Sequence, residues 1–157
     1  MSSVKPASKE IIISSIRNGT VIDHITPGEA LTVIRILKIK SGTNLNVTMA
    51  SNVKSSRGGR KDVVKIEDRE LLKEEVDKIA LVAPDATINI IREYEVAVKK
   101  QVEVPKDIVG VIKCPNPNCI TNTNEPVPSR FESHSRGFRC VYCDTVISKD
   151  MDLGNYI

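Results

Sequence analysis

CPNPNCITNTNEPVPSRFESHSRGFRCVYC, residues 114–143, holds all four cysteines of the 157-residue chain. Four residues separate Cys114 from Cys119 and two separate Cys140 from Cys143, with twenty residues between the pairs. Two close pairs flanking a hairpin-sized insert match an all-cysteine tetrahedral zinc site, because each pair can wrap one side of the ion while the insert returns the chain. Pro115 and Pro117 stiffen the first turn so that its sulfurs converge. The competing readings are two disulfides, a redox dithiol or free core thiols. Four thiolates around one dication leave a net charge of about −2, so cations and N–H donors are expected nearby, and Lys113 and Arg139 adjoin ligands in sequence. A region of about fifty residues is near the lower limit for a core of its own. Metal binding is therefore expected to supply much of its folding free energy, on the order of 10 kcal/mol. His134, in the polar run SRFESHSRG, reads as a surface residue, and no fifth ligand is suggested.

Upstream of this block the composition changes near VEVPKD (102–107), which sets a boundary between residues 1–102 and 103–157. The first part reads as strand, helix, strand, strand, helix, strand. EIIISSI (10–16) is an expected strand, followed by Asn18-Gly19 as a turn and TVIDHI (20–25) as a second apolar piece. Thr26 and Glu29 form a capping-box pattern with Pro27 at the first helical position; Ala30, Val33, Ile34 and Leu37 share a face before Gly42. Leu45, Val47, Met49 and Val53 are expected on one side of a strand, with SSRGGR (55–60) as a wide hairpin loop and KDVVKI (61–66) as the return. Asp68 is the expected cap of a second helix bearing Leu72, Val76, Ile79 and Ala80, which Pro84 ends, and TINIIREYEVAVKKQVEV (87–104) completes the unit. The fold expected is α+β: an N-terminal antiparallel sheet covered by two helices, a ferredoxin-like sandwich, plus a small C-terminal all-β zinc-binding domain.

Composition narrows the function. Hydrophobic residues make up 40%, enough for a packed core, and 27% charged residues nearly cancel to +3. That balance, with only 3% aromatics, argues against nonspecific nucleic-acid wrapping. MSSVKPASKE has no apolar run after its lysines and reads as a loose tail rather than an export signal, and no segment is long and apolar enough to span a membrane. The expected compartment is the cytoplasm, where thiols serve metals more often than disulfides.

RNGTVIDHI (17–25), GRKDVVKIED (59–68), VAPDATIN (82–89), YEV (94–96) and CPNPNCI (114–120) together resemble, in order and spacing, the regulatory chain of aspartate carbamoyltransferase, an enzyme of pyrimidine biosynthesis. The resemblance implies a first domain that binds ATP or CTP, with UTP a further candidate and Mg2+ a possible companion, and that joins two regulatory chains. It implies a zinc domain holding a catalytic chain, in a dodecamer of two catalytic trimers and three regulatory dimers, with no membrane or nucleic-acid partner and no catalytic residues. Carried over by motif, Asp23 lies toward the sugar and base end and His24 nearer the phosphates, while Lys61, Lys65 and Lys99 hold ribose and triphosphate. Ile13, Ile16, Val21, Asn89, Ile91, Tyr94 and Val96 surround the base. Asn116 and Asn118 match positions facing the catalytic chain, with Tyr142, Asp144, Arg130 and Arg136 as neighbours. Metal ligation falls to Cys114, Cys119, Cys140 and Cys143.

The residues support this independently in part. On a strand, Lys61 and Lys65 share a face and stand ~13 Å apart, a span that a nucleoside triphosphate can use. Ser14 and Ser15 differ from the pair in better-known relatives, which bears on base selectivity. Asn89/Ile91 and Tyr94/Val96 differ in parity, so a bulge near Arg92-Glu93 or backbone contacts are needed for all to face one ligand. The alternatives are a zinc-ribbon nucleic-acid-binding protein and a zinc enzyme. The latter is disfavoured because sulfur fills all four positions and no nucleophile with an adjacent base is evident.

Overall fold

Gly19–Ile25, a run of apolar and β-branched residues, forms the central strand β1 in a computed structural model that describes residues 15–40, 42, 44–124 and 127–157. The chain continues through α1 (Ala30–Ile36), β2 (Val47–Lys54), β3 (Arg60–Glu67), α2 (Lys73–Val82), β4 (Thr87–Arg92) and β5 (Glu95–Gln101). The sheet is antiparallel with order β2-β3-β1-β4-β5. This is the expected two-helix α+β sandwich in βαββαβ order, extended by β5. One sheet face is apolar: Ile22, Val64, Ile66, Ile88 and Ile90 pack with Val33, Ile36, Leu37, Ile79 and Ala80. Strand alternation sends the intervening side chains to the opposite face, which carries no helix among the described residues.

Several local expectations are corrected. The expected strand 10–16 lies largely outside the described residues, and its described end, Ser15 and Ile16, is not strand. Thr26 and Glu29 form a turn, Glu29 N–H donating to Thr26 O at 3.0 Å, and no side chain of α1's own N-terminus caps it. The cap comes from more than thirty residues downstream: buried Asp62 accepts Gly28 N–H and Ala30 N–H through Oδ2 at 2.9 and 3.1 Å. α1 ends before Gly42, at Lys38 (φ 59), where Ile39 N–H donates to Ile34 O and Lys38 N–H to Arg35 O in a Schellman pattern. Asp68 (φ 62) is a turn residue and not the cap of α2; instead Glu75 accepts Leu72 N–H at 2.9 Å.

Two bulges shift the alternation. Between Ala50 and Val53 an extra residue in β2, with Asn52 at φ 55, pairs Val53 with Lys61, so Val53 leaves the side that Val47 and Met49 share. Between Ile22 and Ile25 an extra residue in β1, with His24 at φ 56, returns Ile25 to the core. The stretch 87–104 is a hairpin instead of one strand. Its two turn residues, Glu93 and Tyr94, both have positive φ (50 and 67), as a two-residue turn between right-twisted strands requires.

The remainder is a second antiparallel sheet, β6 (Asp107–Val109), β7 (Arg130–His134), β8 (Gly137–Cys140) and β9 (Val146–Ser148), in sequential order. Gly137 (φ 146) is required there, since a Cβ would sit 2.0 Å from Ile147 O. Its core is Ile108, Ile112, Phe131, Cys114, Cys119, Cys140, Ile147 and Leu153, with Leu81 of α2 inserted from the first unit. Arg35 donates to Gly154 O at 2.8 Å, and Ile157 packs on both cores.

Asp62 also accepts Asn52 N–H at 2.7 Å and the Ser51 hydroxyl at 3.3 Å, so it ties the β2 bulge and α1 to β3. Asp62→Ala leaves three backbone N–H groups without this acceptor and is expected to destabilise the chain by about 3 kcal/mol. Urea unfolding followed by far-UV circular dichroism checks this; an unchanged midpoint would count against the bracing role.

Candidate functional site

The four cysteine sulfurs lie within 4.8 Å of one another. Cys114 and Cys143 Sγ are 3.5 Å apart and Cys119 and Cys140 Sγ 3.8 Å. Zinc bound at ~2.3 Å in a tetrahedron places its sulfurs ~3.8 Å from each other, so the donor set fits that ion. A disulfide needs ~2 Å, and all four cysteines are free. The sulfurs also receive hydrogen bonds. Backbone groups of Asn116, of Tyr142 and Cys143, and of Thr145 meet Cys114, Cys140 and Cys143 respectively. The Thr121 hydroxyl reaches Cys119 Sγ at 3.2 Å, and the Thr145 hydroxyl lies 3.1 Å from Cys143 Sγ. Burial pushes the Cys114 thiol up to about 12. Cys143 is held at about 6, burial opposing and the Thr145 and Asn116 hydrogen bonds prevailing. A dication held there would offset the cost of burial by stabilising the thiolate outright, with release of the protons.

The expected N–H donors are therefore present, whereas Arg139 is engaged elsewhere, on Glu132 and Asp144. Asn116 is occupied within its loop, Oδ1 accepting Asn118 N–H at 3.0 Å, which leaves Asn118 the more outward of the two. Arg130 pairs with Asp107 at 2.9 Å. His134 borders a cavity of about 560 Å3 between the two units, apart from the sulfurs.

The helix-free face of the first sheet is the second candidate site, and its order is set by register. Cross-strand pairing aligns Thr48, Lys65, Val21, Asn89 and Lys99 in one row. On one side lies the row Gly19, Ile91 and Val96; on the other, Asp23 with Thr87. Asn89 Nδ2 donates to Val21 O at 3.3 Å. Val96 faces with Ile91 because β5 carries one extra residue between Val96 and Val98, so the bulge lies inside β5 and not at Arg92-Glu93. Tyr94 projects from the turn, 66% exposed. Ile16 is buried beside Gly19, and Ile13 lies outside the described residues.

At the polar end, Lys61 Nζ is 2.8 Å from Asp23 Oδ1, which also accepts His24 N–H at 2.6 Å. The His24 ring stands 3.5 Å from the Thr87 hydroxyl through Nδ1, while its Nε2 is buried with no partner among the described residues. Burial lowers the His24 pKa; Asp23 opposes this, and Arg57, Lys61 and Lys99 add to it. The ring is accordingly neutral at pH 7. Lys65 is buried, and desolvation lowers its pKa against the pull of Glu67. Thr87 and Arg57 belong to this cluster and were not singled out from the sequence. Thr87 could have been found by its alternation with Asn89; Arg57, in a glycine-rich loop, gave no periodic signal.

Family models for the aspartate carbamoyltransferase regulatory chain match this sequence twice: the allosteric domain over residues 11–103 and the metal-binding domain over 106–152. Among curated proteins named aspartate carbamoyltransferase regulatory chain, that of Methanocorpusculum labreanum is 73% identical over 154 residues, covering 98% of this chain and 99% of the relative. The protein of Methanoculleus marisnigri is 58% identical, covering 99% of each, and that of Haloarcula marismortui is 54% identical, covering 91% and 92%.

Elemental analysis of the purified chain is expected to give one zinc per chain. Cys119→Ser should lose it and raise hydrogen exchange across 107–148 far more than across 19–67. Full zinc retention by that variant would argue against a four-sulfur site.

Proposed function

The chain belongs to the aspartate carbamoyltransferase regulatory-chain family, with an allosteric domain followed by a metal-binding domain, and on that premise we propose that it is a non-catalytic, effector-sensing subunit. In this reading residues 1–102 bind ATP- and CTP-type nucleotides, with UTP and Mg2+ as further candidates, and residues 103–157 hold structural zinc and dock on the catalytic chain. The observation that carries it is the helix-free sheet face, graded from Ile91 and Val96 through Asn89 and Lys65 to Asp23, Lys61 and His24. The apolar end suits a base, the amide and ammonium a ribose, and the cationic end a triphosphate.

β5 supports a regulatory homodimer. It is the edge of the sheet, all seven of its side chains are exposed, and Val96 and Val98 are 55% and 44% so. An uncovered apolar edge strand favours pairing with a second copy. Ile120 and Tyr142, both about half exposed beside the cysteine loops, suit the catalytic partner. A dodecamer of two catalytic trimers and three regulatory dimers would place the sensing face far from the chemistry. Effector binding would then shift a two-state quaternary equilibrium through the segment 100–107, with a coupling of ~1–3 kcal/mol. Four retained thiols suit the cytoplasm; no helix among the described residues is long and apolar enough to cross a membrane.

Calorimetric titration of the zinc-loaded chain with CTP and then ATP should show competitive, saturable binding, weakened about tenfold in Lys65→Ala. In the reconstituted complex, either nucleotide should move the aspartate saturation curve; a curve indifferent to both at saturation would sink the allosteric reading.

A triphosphate beside neutral His24 raises that group's pKa, so binding should take up protons between the free and bound values and strengthen as pH falls through that window. Titration at pH 6.5 in buffers of different ionisation enthalpy measures the uptake. Proton release on binding would contradict the placement of His24.

A further inference from the structure

The geometry points to Arg57 as the residue that selects for the number of phosphates on the bound nucleotide, gripping the outermost phosphate of a triphosphate from the β2–β3 loop. The inference rests on the nucleotide reading of the helix-free face and adds a specificity residue to it. Three features carry it.

The loop fixes the arginine's root. Ser55 N–H donates to Gly59 O at 3.0 Å and Gly58 N–H to Ser55 O at 3.1 Å, and buried Ser55 accepts Arg57 N–H on its hydroxyl at 3.2 Å. From there the side chain crosses to the start of β4. Its guanidinium lies 3.4 Å from Asp85 O through Nη1 and 3.4 Å from the Thr87 hydroxyl through Nη2. Both acceptors are neutral and both contacts long, and no ion pair to a carboxylate is formed among the described residues. The arm is thus pre-oriented without having its charge neutralised, and exchanging two weak contacts for a bidentate phosphate contact is favourable.

Thr87 is also the residue against which the His24 ring rests, at 3.5 Å, so Arg57, His24 and Lys61 meet at one end of the face. His24 Nε2, buried and without a partner among the described residues, adds a further polar atom at that end.

Length supplies the selectivity. Ile91, Asn89 and Thr87 alternate onto one face of β4, so the first and last are ~14 Å apart at ~3.4 Å per residue. A base at Ile91 and a ribose at Asn89 put a first phosphate near Lys61 and Lys99 and a third beyond Thr87, where Arg57 waits. A monophosphate ends short of it.

The test is calorimetry on the full zinc-loaded chain with ATP, ADP and AMP, for the wild type, Arg57→Ala and Arg57→Lys. Arg57→Ala should weaken ATP about tenfold and leave AMP within about twofold, with partial recovery in Arg57→Lys. Thermal melting of the free variants should match the wild type, because the side chain is exposed and makes only weak contacts. Equal weakening of ATP and AMP would overturn the proposal in favour of a general electrostatic effect. Unchanged ATP affinity in Arg57→Ala alongside lost affinity in Lys65→Ala would overturn it while sparing the nucleotide reading. A wild type that binds none of the three would overturn both.

Discussion

Asp62 is completely buried and meets four donors at once: two backbone N–H groups at the start of α1, and one backbone N–H and one hydroxyl at the β2 bulge. An acceptor shared in this way is worth more than a surface ion pair, because the buried carboxylate and the Ala30 N–H it meets would each cost about 1–3 kcal/mol if left unmet. It also fixes register. Since neighbouring strand residues point to opposite faces, holding Asp62 inward holds Lys61 outward, where its ammonium meets Asp23. The β1 bulge at Asp23-His24 and the β2 bulge at Ser51-Asn52 face the same short piece of β3 from its two sides. The cationic end of the sheet face is thus built by an interaction on the other side of the sheet.

The second unit has a different foundation. Its strands are three to five residues long, and three of its nine buried core positions are cysteines. Burial disfavours the charged form of Cys114 and Cys140 that a metal needs, and hydrogen bonds from the knuckle backbone and, at Cys143, from Thr145 lean the other way. A dication held by the four sulfurs would tip that balance and join the two cysteine loops. A docking surface formed from loops can be stiff under these conditions without a large core beneath it.

Much of this was legible in the sequence for physical reasons that can be named. The cysteine spacing encodes a coordination geometry, and the β2–β3 hairpin and both helices follow from periodicity. The rest depends on distant partners or on an uncommon local choice. Asp62 caps a helix more than thirty residues earlier, which no local pattern reveals, whereas Thr26 is a suitable cap by position alone. The Glu93-Tyr94 turn uses two residues with positive φ where glycine and asparagine are the usual signal, so the sequence carries no mark of the turn. The bulge that reconciles Ile91 with Val96 lies in β5, beyond the turn at Glu93-Tyr94. Arg139, beside a ligand in sequence, belongs to a carboxylate pair in space.

Leu81 sits in a helix whose neighbours Ile79, Ala80 and Val82 face the first core, yet it lies in the second with Phe131, Ile147 and Leu153. Two modules joined only by a tether could drift apart in sequence, each under its own constraints. Here one helix serves as a wall of both, so the descent of the two halves is linked: a bulkier side chain at position 81 calls for a smaller one at 147 or 153. Exchange of one module between distant relatives would carry a mismatch at that contact even if both parts folded well alone.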